Sequence, residues 1–223
     1  MADPAAPPPY DISAMGGGAV LLHCSPPLDL RVQETVWQVA RAAAAWPGVR
    51  EAVPGVNNLL VIFDPMAADP DAIEGRLAQA WASAGRWTEP SKLVEVPVLY
   101  GGQYGPDLPE LSALTGLSAA EIIGIHAAGT YVVMAVGALP GFGYLAGLDP
   151  RLAMPRRATP RLQLEAGSVA IGGAQTAVLT TTSPSGWNVI GHTDTILFDV
   201  RWDRPSLLAP GDRVRFVVQE ALA

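Results

Sequence analysis

The stretch KLVEVPVLYGG, Lys92–Gly102, is where the chain changes character. It reads as a strand of β-branched and large apolar residues that ends in a glycine turn. On its N-terminal side, strands alternate with helices. GGGAVLLHC reads as a first strand. DLRVQETVWQVARAAAAW reads as a helix capped by Asp29, with Leu30, Val36, Trp37, Ala40 and Ala44 at helical spacing and Pro47-Gly48 as the stop. VREAVP and NNLLVIFD read as two strands joined by a turn near Gly55–Asn58. DPDAIEGRLAQAWASAG reads as a second helix, with Asp69 as cap, Pro70 at its first position and Ile73, Leu77 and Trp81 on one face. Residues 17–90 are therefore expected to form a small α+β domain in which helices cover one face of a sheet.

On the C-terminal side, PDLPELSALTGLSAAEIIGIHAAG gives two short helices, the second opened by a Ser118-x-x-Glu121 capping box. After Gly129 only short strands remain: TYVVMAVG, SVAIGG, TAVLTTT, GWNVIGH, ILFDV and DRVRFVV, separated by turn signals. Many short strands with Gly/Pro turns predict a mainly β barrel or sandwich over 91–223. The first sixteen residues, beginning MADPAAPPPYD, have no basic region and no apolar run, so they read as a flexible tail rather than a secretory signal.

Composition narrows the function classes. The chain has 223 residues, 49% hydrophobic and 16% charged, enough to bury a core. Its formal net charge of -7 argues against a general nucleic-acid binder, which needs a basic face. LPELSALTGLSAAEIIGIH has the outline of a helix-turn-helix, but its second helix carries no Lys or Arg to meet phosphates. The single cysteine, Cys24, has no partner for a disulfide or a CxxC site, which fits a reducing compartment and a cytoplasmic location. From Ile122 to Leu148 no residue is formally charged, yet glycines and Pro140 interrupt the run too often for a membrane span. There is no GxSxG, SxxK, HExxH or GK[ST] phosphate loop. The histidines, His23, His126 and His192, lie far apart, so no metal site is expected.

One stretch runs against the acidic background. Ala138–Leu162, ALPGFGYLAGLDPRLAMPRRATPRL, holds Arg151, Arg156, Arg157 and Arg161 against one acid, Asp149. Arginine meets carboxylate or phosphate with a planar fork, and Phe142 and Tyr144 supply apolar walls for the same ligand. The other reading is a solvated edge loop guarded by cations. His126 ends a helix, where the helix dipole favours an imidazolium; a structural role stands equally open. Gly172 and Gly173 allow close approach of backbone to a ligand or a tight turn between strands.

The same motifs carry a family likeness. LPGFGYLAGLDPRLAMPRRATPRL, AGSVAIGGAQT, SGWNVIGHT and LLAPGDRVRF, together with YGGQYGPDL and IHAAGTYVV, closely resemble the B-subunit family of bacterial 5-oxoprolinase. That family includes allophanate hydrolase subunit 1 proteins and Kip-type inhibitors of a sensor histidine kinase. The likeness spans nearly the whole chain. It implies a small α+β N-terminal domain followed by a mainly β, cyclophilin-like barrel. It implies ATP-dependent cleavage of 5-oxoproline to glutamate, in an assembly with a companion C subunit of the allophanate hydrolase subunit 2 type and often an A subunit. ATP would be used by the assembly, since this chain shows no nucleotide motif. The alternative is a regulator that binds a histidine kinase directly. The resemblance implies a catalytic role for His126. It implies substrate or anion binding by Arg156, Arg157, Arg161, Pro140, Gly141, Phe142, Tyr144, Gln175, Thr176, Gln103 and His192. Four positions depart from the family pattern: Gln103 stands where Glu is common, Gly143 where Pro is common, His192 where Arg is common, and Ser185 where Gly is common. The change at Gln103 removes a carboxylate and that at His192 a permanent cation.

Overall fold

The computed structural model describes residues 8–222, in two compact units divided between Pro90 and Ser91. In the first unit the elements run β1 (Asp11–Ala14), β2 (Ala19–His23), α1 (Leu30–Ala43), β3 (Val49–Gly55), β4 (Asn58–Phe63) and α2 (Pro70–Ser83). The four strands form one antiparallel sheet in the order β1-β2-β4-β3. Burial alternates along β2 and β4, as period-2 side chains on a half-covered sheet require. Val20, Leu22, Leu59, Val61 and Phe63 point into one core with Val36, Val39, Ala40 and Ala43 of α1 and Ile73, Leu77 and Trp81 of α2. Asp29 and Asp69 cap the two helices through their carboxylates, each accepting a backbone N–H two residues on. The tail expected over residues 1–16 needs correction: Asp11–Ala14 pairs with β2 as an edge strand. The remainder of that expectation, over residues 1–7, lies outside the described residues.

The second unit runs β5 (Leu93–Gly101), a 3₁₀ turn (Gly102–Tyr104), α3 (Leu108–Thr115), α4 (Ala119–Ala128), β6 (Tyr131–Val136), β7 (Gly143–Ala146), a 3₁₀ turn (Pro150–Leu152), β8 (Arg161–Leu164), β9 (Ser168–Gly172), β10 (Gln175–Val178), β11 (Ser183–Ser185), β12 (Asn188–His192) and β13 (Arg213–Leu222). Seven strands close into a barrel in the order β10-β7-β6-β13-β5-β12-β9, while β8 and β11 form a separate two-stranded sheet. Closure leaves the barrel without edges. The pair β5–β13 is parallel, and every other pair in the barrel is antiparallel.

Val96, Val98 and Tyr100 of β5, Val133 of β6, Leu145 of β7, Val169 and Ile171 of β9, Val178 of β10, Ile190 of β12 and Val214 and Phe216 of β13 fill the barrel interior. Ile122 and Ile123 of α4 pack into the same core. The capping box is present: the Ser118 hydroxyl accepts the Glu121 N–H, and the Glu121 carboxylate accepts the Ser118 N–H at 2.8 Å. The uncharged stretch from Ile122 to Leu148 is divided among α4, β6 and β7. No single helix among the described residues is long and apolar enough to cross a membrane. ILFDV, expected as a strand, makes only an isolated bridge, Phe198 to Ser206.

Candidate functional site

Residues on the outer face of the barrel alternate with those filling it. Ala170 and Ala177 stand on that outer face, cross-strand neighbours on β9 and β10, and Gly172 stands two residues along β9 opposite Gln175. These small residues leave room above them for three rings. Phe142 meets Tyr144 at 4.9 Å and Trp187 at 5.9 Å, both edge to face, and Tyr144 and Trp187 are tilted at 6.5 Å. A side chain at Gly172 would have its Cβ 2.7 Å from the Trp187 ring, so glycine is required for the indole to lie on the strand. Gly172→Ala is accordingly expected to displace Trp187, cost about 1–3 kcal/mol of stability by overpacking, and change the near-UV dichroism; denaturation and spectra of the variant check this.

The loop that delivers Phe142 is built for close approach. Pro140 is exposed at its tip, and Gly141 has φ 73°, where a Cβ would lie 2.6 Å from that of Phe198. The Gly137 N–H donates to Phe142 O across the loop base.

The arginine run crosses this face as a strap fixed along its length. Met154 and Gly173 exchange two backbone hydrogen bonds. The Asn188 Nδ2 donates to Pro155 O at 2.9 Å, and the Arg157 N–H donates to Gly186 O at 2.7 Å. Asp107 then anchors two guanidinium groups. Arg161 forks onto both of its oxygens at 2.7 Å, and Arg157 reaches Asp107 and Glu110 at 3.0 Å each. The Asp107 carboxylate, 3% exposed, also accepts the Val189 N–H at 2.6 Å. Its hydrogen bond raises the pKa of Arg161. Arg151 pairs with Asp149 at 2.7 Å, and this neighbour holds the Asp149 carboxyl down at about 2.

The expected anion site of Arg156, Arg157 and Arg161 therefore narrows. Arg151, Arg157 and Arg161 are occupied by carboxylates of the chain itself. Arg156 is exposed, has no carboxylate partner among the described residues, and holds its guanidinium 5.4 Å from the centre of the Trp187 ring. At the rim, the Gln175 Nε2 is buried with no hydrogen-bond partner among the described residues, and so is the Asn188 Oδ1. Arg156, Trp187, Phe142, Tyr144 and Gln175 thus make one shallow aromatic shelf with a free cation and an unsatisfied amide. Two open pockets, of about 410 and 430 Å³, are lined by none of these five residues.

Other predicted site residues lie elsewhere. His126 is fully buried in the barrel core, stacked on Phe216 at 4.6 Å. The Thr176 hydroxyl donates to Ala170 O at 3.0 Å, so it must accept from the His126 Nε2–H at 2.9 Å. Nδ1 is then the acceptor for the Tyr100 O–H at 2.7 Å. This Tyr100–His126–Thr176 chain is complete within the protein. The imidazolium expected from the helix dipole is not present: burial pushes the His126 pKa down to about 3, and the ring is neutral. Gln103 is exposed in the turn after β5, next to Tyr104, whose ring stacks on His192 at 5.8 Å. His192 also approaches Asp194 at 3.3 Å. His192 stands four positions along β12 from Asn188, about 13 Å at roughly 3.3 Å per residue, so the departure at 192 lies away from the shelf, beside Tyr104. Among the described residues no cluster of three or more His, Cys, Asp or Glu is arranged to hold a metal.

Trp187 and Asp107 were not singled out by sequence. Both sit inside quoted motifs, SGWNVIGHT and YGGQYGPDL, but their partners are 31 or more residues away, where no local spacing reveals them.

The chain has known counterparts in sequence and fold. Residues 10–208 match the carboxyltransferase domain, subdomain C and D, and the chain belongs to that family. The 5-oxoprolinase B subunit of Escherichia coli O157:H7 is 45% identical over 92% of this chain and 94% of its own. That of Bacillus subtilis strain 168 is 36% identical over 93% of this chain and 92% of its own. Among solved structures, the K. lactis urea amidolyase shares the fold, with a TM-score of 0.82 at 18% identity over 98% of this chain, which spans 15% of that enzyme.

Proposed function

We propose that this chain is the B subunit of a 5-oxoprolinase, which acts only with companion subunits to open 5-oxoproline to glutamate at the expense of ATP. The observation that carries this reading is the 45% identity to a 5-oxoprolinase B subunit over nearly the full length of both chains. The companions are a C subunit of the allophanate hydrolase subunit 2 type and an A subunit; the location is cytoplasmic, and the barrel is of the cyclophilin-like kind. The reaction needs help because an unactivated lactam resists hydrolysis. Phosphorylating its oxygen creates a better leaving group, and a cation nearby suits the charge that develops. No nucleotide motif appears in this chain, so ATP would be bound mainly by the companions.

The test is ATP-dependent glutamate release from 5-oxoproline by the reconstituted assembly, with each subunit omitted in turn. Activity is expected to vanish when this chain is left out. A complex that assembles but releases no glutamate would overturn the substrate. Failure to assemble at all would move the reading to a regulator of a histidine kinase, and a kinase autophosphorylation assay would then decide.

A further inference from the structure

We infer that the shelf holds the substrate from two sides: Arg156 takes its carboxylate, and Gln175 Nε2 donates to its amide carbonyl. This rests on the 5-oxoprolinase reading and deepens it, because it assigns the contacts by geometry rather than by motif.

The choice of Arg156 follows from elimination within one cluster. Arg151 and Arg161 each spend two nitrogens on one carboxylate, Asp149 and Asp107, and Arg157, only 30% exposed, is held by Asp107 and Glu110 through its Nη1. Among the described residues Arg156 has no carboxylate partner and lies over the π-face of Trp187, a contact that orients a guanidinium without consuming its N–H donors. Its backbone is held on both sides by Asn188 Nδ2 on Pro155 O and by the Arg157 N–H on Gly186 O, so the cation is presented from a fixed base.

Gln175 supplies the second contact. It stands directly opposite Gly172, and the Trp187 ring lies on Gly172, so Gln175 and Trp187 share the outer face. A buried amide N–H₂ with no acceptor is a standing cost to the free chain. A small molecule bearing a carbonyl, laid against Phe142, Tyr144 and Trp187, would relieve it with a modest turn of the side chain. A carboxylate at one end and a ring carbonyl at the other is the outline of 5-oxoproline, and its flat ring suits the aromatic wall.

The experiment is equilibrium binding, by calorimetry without ATP, of 5-oxoproline and of its neutral carboxamide to the assembled complex. It compares the wild-type chain with Arg156→Ala and Gln175→Met. Arg156→Ala is expected to weaken 5-oxoproline by about ten- to a hundredfold, and to leave the carboxamide nearly unchanged. Gln175→Met is expected to weaken both ligands while raising the melting temperature of the free chain, since it removes an unpaired polar group. A purely structural Gln175 would not give that opposite pair of effects. Equal binding of 5-oxoproline by Arg156→Ala and wild type in an intact complex overturns the inference alone. Loss of assembly in Arg156→Ala also overturns it, by assigning the shelf to a companion subunit. No binding of 5-oxoproline by the wild-type complex overturns the 5-oxoprolinase reading and the inference with it.

Discussion

Replacing Asp107 by Ala is expected to destabilise the chain by about 3 kcal/mol, at the lower end of the cost of breaking a buried ion pair. The carboxylate is 3% exposed and serves two guanidinium groups and one buried backbone N–H. Without it, Arg157 and Arg161 lose their shared acceptor and Val189 N–H is left unpaired. The two arginines remain about 30% exposed, so water offsets part of the loss. Glu110 is the natural control. It contacts Arg157 at the same 3.0 Å but is 60% exposed, and Glu110→Ala is expected to cost under about 1 kcal/mol. Urea denaturation of both variants measures the difference. Equal costs would refute the role of Asp107 as the anchor of the strap.

Stability is also expected to fall steeply in acid on account of His126. In the unfolded chain its pKa is near the ordinary 6.5, and in the folded chain burial lowers it to about 3. Between those values the unfolded state binds a proton that the folded state refuses. The contribution is therefore fully present above pH 6.5 and is lost as pH falls toward 3, by up to about 1.4 kcal/mol per pH unit. His126→Phe removes the titration. It is less stable than wild type at neutral pH, because the Tyr100 and Thr176 hydroxyls lose their ring partners. Its stability should decline less between pH 6.5 and 4.5. His23 and His192 are unchanged in both chains, so the difference in slope belongs to His126. Parallel pH profiles would show that the ring is not held neutral by burial.

The physics of the elements explains which parts could be read in advance. Both helices of the first unit were legible because their signals are local: Asp29 and Asp69 caps, Pro70 and helical spacing. The same holds for the Ser118–Glu121 capping box. β7 was not legible, because its four residues begin with a glycine one residue after Pro140-Gly141 and look like more of the turn. β8 and β11 have four and three residues and pair only with each other, across a bulge, too short for any period to emerge. ILFDV has a strand's composition, but its backbone returns on itself through Leu207 N–H to Leu197 O and Asp199 N–H to Pro205 O. The arginine cluster was legible as a cluster. Which arginine is free was not, because the deciding carboxylate, Asp107, lies 50 residues from Arg157 and 54 from Arg161. The burial of His126 likewise depends on strands that follow it in the chain, notably β10 with Thr176 and β13 with Phe216.

The parallel pair β5–β13 joins the first strand of the second unit to its last. In the barrel order β13 is the stave between β6 and β5, so without it the hoop stays open at that seam. During synthesis, β5 leaves the ribosome more than a hundred residues before its neighbour exists. Until Arg213–Leu222 emerges, the apolar lining of the half-built barrel has no closed wall to hide behind, and such exposed surface is what chaperones recognise and what aggregates. Arg213–Leu222 thus sets the order of assembly: the barrel core can be sealed only once that strand has been made.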